Sequence, residues 1–283
     1  MGSVIYTPKT KSNIASGFAL QAYMKAEEGV VNAWEHNYDY WYIDGSLHSD
    51  FPEQWSHERI IALVALCERT KMSPIYHGNF KAPLASDVEF LRRAAVEYVK
   101  KEIDICANFS CPLILHGGAL VEPRTIREAK ERGLRALIVS LKELQEYAQA
   151  RNVLLMLENL SNYPNYRPFH YIATKVEEFE SIFSEVDVSM FFDFGHANVN
   201  AEIPVEDFFK RCASRVAGVS MSNNNGNLDQ HLKLHDGSIN YSAVLVLMKQ
   251  LKWQGIVGFE VRNMDPKKVI ESFSGMEQWA PEL

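Results

Sequence analysis

The chain is poor in cysteine, in long apolar runs and in positive charge, and each shortage removes a class of protein. Its four cysteines, Cys67, Cys106, Cys111 and Cys212, are scattered over 283 residues without metal-knuckle spacing. That argues against a disulfide-stapled domain and reads as buried, reduced thiols in a cytoplasmic protein. No apolar run reaches the roughly 18 residues of a membrane helix, so no membrane partner is expected. The start, Met1-Gly2-Ser3-Val4-Ile5-Tyr6, lacks the charged and then apolar pattern of a signal peptide. Tyr6 also stands where a myristoylation signal wants a small hydroxyl residue. Lys and Arg number 29 against 36 Asp and Glu, for a net charge of −7 and a pI near 5.8. This acidic balance argues against a broad nucleic-acid surface. No internal repeat, low-complexity tract or linker divides the chain, so one domain over residues 1–283 is expected.

What is present is a rhythm of strand then helix, eight times over. Candidate strands run over 14–22, 40–44, 73–77, 112–116, 153–158, 188–193, 216–221 and 255–261. Candidate helices run over 26–36, 58–70, 87–108, 125–151, 174–183, 205–213 and 241–251, and a last one starts at Asp265. Ser86 is the expected N-cap of the third. Runs such as Leu154-Leu155-Met156-Leu157 are continuously apolar, as in parallel strands buried on both faces. Alternation alone also fits an open doubly wound sheet. Eight units favour closure into an α/β (β/α)8 barrel of the TIM type.

Six of the eight runs end in a residue that binds metals. They finish at His77, His116, Glu158, Asp193, the Ser220 region and Glu260, with His196 three residues after Asp193 and Asp229 and His231 shortly after Ser220. In a parallel barrel the C-terminal strand ends converge on one mouth. Carboxylates and imidazoles gathered there suit a divalent ion of the Mn, Zn, Mg, Co or Fe group. A lone histidine such as His77 or His116 is more often an ordinary hydrogen-bonded side chain. Glu158 and Glu260 differ, because a carboxylate at the end of an apolar strand is costly to bury without a metal or a basic partner such as Arg262. The loops over 159–171 and 222–240 are rich in Asn, Tyr and His, which suits either a polyhydroxyl ligand or plain turn chemistry.

On these motifs the chain resembles the xylose isomerase-like TIM-barrel superfamily, which includes endonuclease IV and sugar isomerases, epimerases and dehydratases. The matching stretches are His-Gly-Asn at 77–79, His-Gly-Gly at 116–118, Glu-Asn at 158–159, Asp-Phe-Gly-His at 193–196, Asp-Gln-His at 229–231 and Phe-Glu at 259–260. The resemblance implies that Glu158, Asp193 and Glu260 are shared metal carboxylates. It implies that Glu158 and Glu260 are the acid/base pair of the epimerases. His196 corresponds to a substrate-binding histidine of the epimerases and a zinc ligand of the nuclease. His77 with His116, and Asp229 with His231, correspond to further metal ligands of the nuclease. Two departures stand out: Ser220 occupies a position where a metal-binding histidine is usual, and His235 stands where glycine is usual.

Three functions fit. The first is a metal-dependent isomerase or epimerase of a sugar or sugar phosphate, with Glu158 and Glu260 moving the proton. His196, Asn159, Arg262 and Lys233 would contact a small carbohydrate, and Trp41, Tyr42, Tyr163 and Tyr166 would lie near the mouth. The second is an endonuclease IV-like phosphoester hydrolase. The third is a sugar-binding barrel without catalysis, for which Ser220 is the support. Barrels of this kind often assemble, so a homo-oligomer is an open expectation.

Overall fold

A computed structural model describes residues 12–21, 23–122, 126–164 and 169–280. The expected residues Ala22, Thr125 and Tyr166, and the N-terminal Met1–Tyr6, lie outside this range.

The barrel strands are β1 (Ala15–Leu20), β2 (Tyr40–Asp44), β3 (Ser73–His77), β4 (Leu113–His116), β6 (Leu155–Glu158), β8 (Ser189–Asp193), β9 (Val216–Met221) and β10 (Gly255–Phe259). All pair in parallel in chain order, and β1 pairs with β10 to close the barrel. Helices α1 (Ala26–Glu35), α2 (His57–Thr70), α3 (Glu89–Phe109), α4 (Ile126–Gln149), α5 (Val176–Glu185), α7 (Val205–Cys212), α8 (Tyr241–Gln250) and α9 (Pro266–Trp279) alternate with them. The expected (β/α)8 barrel is therefore the observed fold.

Each helix turns an apolar stripe toward the sheet. In α7 the buried residues are Val205, Phe208, Phe209 and Cys212, the spacing of one helical face. Phe208 and Phe209 meet Phe192 of β8 edge-on, at ring-centroid distances of 5.1 and 5.4 Å. Such aromatic pairs add about 0.5–1.5 kcal/mol each beyond simple burial. Caps fix several ends: Ser56 accepts from the Arg59 amide ahead of α2, and Asp265 accepts from the Lys267 amide ahead of α9.

Three local features differ from expectation. The third helix starts at Glu89 with Val88 in the cap position, because the Ser86 hydroxyl is taken by the Val88 amide at 3.3 Å. A two-stranded antiparallel sheet, β5 (Ala119–Val121) with β7 (Phe169–Tyr171), stands beside the mouth where loop was expected. A one-turn helix, α6 (Phe194–Asn198), follows β8, capped by the Asp193 carboxylate. No helix among the described residues is long and apolar enough to cross a membrane.

The barrel interior is layered. Ala19, Tyr42, Ile75, Ile114, Met156 and Phe191 form an apolar plug. Side chains two residues apart on a strand share a face. The next layer toward the C-terminal ends is therefore Gln21, Asp44, His77, His116, Glu158 and Asp193, all buried. Ser220 pairs with Asp193 in register, which sets it at the same level on β9.

Candidate active site

This polar layer floors a cavity of about 270 Å³. Glu158 is at its centre. His77 Nε2 and His116 Nε2 each stand 3.3 Å from Glu158 Oε2, and His196 Nδ1 stands 3.2 Å from Oε1. These are close approaches without hydrogen-bond alignment, since both Glu158 oxygens are buried and lack a hydrogen-bond partner. His196 Nδ1 instead bonds the Asn159 carbonyl at 2.9 Å. Only a protonated nitrogen can bond a carbonyl, so Nδ1 carries a hydrogen, and although burial opposes charge, Asp193, Asp229 and Glu158 favour a second proton on Nε2. That Nε2 is 3.4 Å from Asp229 Oδ2, and His231 Nε2 is 2.8 Å from the same oxygen. His231 Nδ1 lies 3.9 Å from Glu260.

Asp193 is held by its surroundings. One carboxylate oxygen accepts the His196 amide at 2.5 Å, and the other is buried without a partner. Asn159 brackets its backbone: the Asn159 amide donates to the Asp193 carbonyl at 2.9 Å, and its Oδ1 accepts the Asp193 N–H at 2.8 Å. Asn159 therefore positions Asp193. Gly195 lets this turn close, since a Cβ there would come within 2.7 Å of the Ser222 hydroxyl.

The charges are strongly interdependent. Burial opposes ionisation of Glu158, yet the imidazoles of His116, His196 and His77 outweigh it and hold the acid well below its usual range. Burial likewise disfavours charge on His77, but Glu158, with Glu260 and Asp44, pushes that imidazole up to about 9. His116 goes the other way: burial lowers it, helped by the charges of His77 and His196. Burial, with Glu260 and Glu158 close by, raises Asp193 to about 7. Burial and then Glu158 raise Glu260. Burial also works against an ionised Asp229, but His196 and His231 hold it low.

A divalent ion fits this chemistry. Glu158, Asp193, Asp229 and Glu260 all present buried oxygens with no hydrogen-bond partner. Ligand atoms of His77, His116 and Glu158 lie within 4.8 Å of one another, as do those of Glu158, Asp193 and His196. Buried acceptors that no donor is aligned to satisfy are costly unless a cation completes them. The Ser220 hydroxyl is also buried and unpartnered. On the barrel wall, then, β9 places a serine hydroxyl at the level of Asp193 among these acceptors.

The structure brings His77, His116, Glu158, His196, Asp229, His231, Glu260 and Arg262 to one cavity. Lys233 lies outside its wall, 3.7 Å from Asp236, and His235 faces that same aspartate. Trp41 is a correction: it is fully buried on the outer face of β2, against Gly29 of α1, and not at the mouth. Tyr42 lies in the plug beneath the cavity, stacked on His77 with ring centroids 5.8 Å apart. Tyr163 lines the cavity. The asparagine-rich loop spends buried amides on backbone, with Asn223 bonding the carbonyls of Leu234 and Ile239 and Asn224 bonding the Gly195 carbonyl. Missing from the expected set were Gln21, Tyr23, Asp44, Phe80, Ser161 and Tyr171, all of which line the cavity. Gln21 and Asp44 end β1 and β2, so the strand-end rule applied to the first two strands finds them.

The sequence profile of the family described as "Xylose isomerase-like TIM barrel" matches residues 30–279, and the chain belongs to that family. Similar proteins include an uncharacterized protein of Methanocaldococcus jannaschii, MJ1311, 27% identical and covering 81% of this chain and 77% of its own length. Among solved structures, a "D-tagatose 3-epimerase-like protein" superposes with a TM-score of 0.79 at 23% identity, over 93% of this chain and 98% of its own. A D-allulose 3-epimerase from Methylomonas sp. superposes with a TM-score of 0.75 at 14% identity, over 92% and 97%. At these identities the superpositions establish the shared barrel fold.

Proposed function

We propose that the chain is a divalent-metal-dependent isomerase or epimerase of a sugar or sugar phosphate. One observation carries the reading. Glu158 and Glu260 are both buried in the wall of one cavity, yet they come from β6 and the end of β10, three strands apart around an eight-stranded barrel. Two carboxylates set that far round a barrel reach a small substrate from different sides. One can take a proton from carbon while the other returns it to the opposite face or to the neighbouring carbon. The epimerases that share this fold are consistent with such chemistry.

Glu158, Asp193 and Glu260 would hold the ion, joined by histidines of the His77–His116 pair or by His196. Bound there, a divalent cation would supply Lewis acidity. The rest of the work belongs to side chains. Arg262 and His196 orient substrate from the rim and the wall. Tyr163 and Phe80 cover it. The apolar plug beneath keeps water from entering through the barrel.

The test is exchange of the carbon-bound proton in deuterated water, across a panel of keto sugars and their phosphates, with Mn, Co, Mg or Zn supplied. Wild-type protein should incorporate deuterium into one of them. Glu158→Gln and Glu260→Gln should each slow exchange by about a hundredfold or more. Near-normal exchange in Glu158→Gln would sink the assignment.

A second reading is favoured by the histidines. His77 with His116 on one side of Glu158, and His196 with His231 around Asp229, form nitrogen-rich groups that suit zinc. Two or three zinc ions would support phosphoester hydrolysis, and metal-dependent cleavage of abasic DNA would put that reading first.

A further inference from the structure

The cavity has one lysine or arginine among the described residues of its wall, Arg262, set against Asp44, Glu158, Asp229 and Glu260. With so many carboxylates close by, an arginine would be expected to neutralise one of them. Among the described residues its guanidinium meets the Tyr23 side chain, hydroxyl and ring, in place of a carboxylate. Glu260, two residues earlier, leans to His231 instead. The guanidinium lies over the Tyr23 ring, 5.2 Å from its centroid. The backbone beneath is fixed, because the Arg262 amide donates to the His231 carbonyl at 2.9 Å.

The surrounding backbone is unusual. Tyr23, His231 and Asn263 all have positive φ, at 48°, 51° and 57°. Asn and His enter this region readily, and seven further non-glycine residues among those described do so at turns and helix ends. Tyr23 is the telling case, since a bulky aromatic gains nothing local from this conformation. A second cavity of about 300 Å³ opens behind the same wall, sharing Gln21, Tyr23 and Arg262 with the first. Arg262 thus lines both the cavity that holds Glu158 and Glu260 and the open space behind it.

We propose that the substrate carries an oxyanion, a phosphate or a carboxylate, and that Arg262 stacked on Tyr23 is its subsite. This deepens the isomerase reading and rests on it for the identity of the rest of the ligand. A guanidinium that touches an aromatic side chain and no carboxylate keeps N–H donors for an oxyanion, which it can bind at two points. The anion would sit at the rim, away from the buried acids, with the neutral hydroxyl-bearing part over Glu158. Lys233, paired with Asp236 outside the cavity wall, takes no part.

The experiment is isothermal titration calorimetry of inorganic phosphate and, separately, of glycolate into the purified full chain, its Arg262→Gln variant and its Arg262→Lys variant. At least one anion should bind wild type, weaken by about tenfold or more in Arg262→Gln and recover in part in Arg262→Lys. Arg262 is exposed, so these variants should fold. A preference for phosphate points to a sugar phosphate, and a preference for glycolate to a sugar acid. Binding of neither anion overturns the proposal. So does binding that is unchanged in Arg262→Gln, which would place the anion on the histidine cluster. The isomerase reading is kept separate by the exchange panel. Turnover of neutral sugars with no anion binding removes this subsite and leaves that reading. Anion binding that depends on Arg262, with no sugar exchanged, supports the subsite and removes the isomerase reading.

Discussion

At the scale of residues, the site is a set of side chains whose charge states depend on one another, and Glu158 is the hub. It is approached by three imidazoles and hydrogen-bonded by none. Glu158→Gln removes the charge that holds His77 up near 9, so His77 should fall back toward or below its ordinary value. An NMR titration of the His77 ring in the two proteins reads this directly. Glu102 of α3 offers a cleaner pH test. It is buried behind the His77 loop, where one oxygen accepts the Asn79 amide at 2.9 Å, and burial raises it to about 8. A carboxyl raised in the folded state costs nothing while it is protonated in both states. As pH rises from its unfolded value through about 8, stability is lost, by about 1.4 kcal/mol for each unit of difference. Glu102→Gln should therefore flatten the loss of stability between pH 5 and 8.5 in urea unfolding, with the variant gaining on wild type as pH rises. Parallel curves would show that Glu102 ionises freely. The strand-end ligands were legible in the sequence because each is a polar residue that breaks an apolar run. Tyr23 and Phe80 were not, because they lie in loops after the strand ends and only the folded chain turns them inward. Trp41 shows the reverse error: it neighbours Tyr42 in sequence, but strand alternation sends it to the opposite face.

At the scale of elements, the period-two alternation of the strands sets both the plug and the ligand layer, and tight packing enforces it. A Cβ on Gly258 of β10 would overlap the Tyr42 hydroxyl and come within 3.1 Å of its Cζ. Gly258→Ala should then cost about 1–3 kcal/mol, as overpacking does. Tyr42→Phe in the same chain removes the overlapping oxygen and should restore part of that loss. A double-mutant cycle by urea unfolding reads the coupling, and simple additivity would mean the two positions do not touch. The start of α3 supplies another test. Val88 sits at the cap with extended backbone and no side-chain acceptor. Val88→Ser supplies one and should add about 1 kcal/mol. An unchanged midpoint would show that Ser86 already satisfies this end. The cap was misplaced in the sequence because Ser86 and Glu89 have the spacing of a capping pair, and only the turn at 86–88 commits the hydroxyl elsewhere. The small β5–β7 sheet was also hidden, since its three-residue strands are too short to show a period and they pair across some fifty residues of chain.

At the scale of the whole molecule, eight βα units explain why one cavity collects residues from so many distant stretches. Alternation alone left an open sheet in play. The recurrence of ligands at successive strand ends is what pointed to closure, because only a closed barrel gathers such ends at one mouth, and β1 paired with β10 completes it. Closure also concentrates charge: Asp44, Glu158, Asp193, Asp229 and Glu260 end within one polar layer or its rim. A protein that folds around so many buried acceptors gains stability from whatever cation binds them, in proportion to how tightly the folded state alone holds it. Chelation should therefore lower the melting temperature by roughly 5 °C or more, for a binding stabilisation of about 3 kcal/mol and a chain of this size. Adding back the ion should restore it. The identity and number of ions that restore it then separate the two readings. One manganese, cobalt or magnesium per chain places the ion among the carboxylates and suits proton transfer. Two or three zinc ions place them on the histidine groups and suit hydrolysis. If chelation leaves the melting temperature unchanged and the purified protein carries no ion, then the histidines neutralise the acids on their own, the serine at 220 has left the barrel without a metal, and a sugar-binding protein without catalysis becomes the reading that fits.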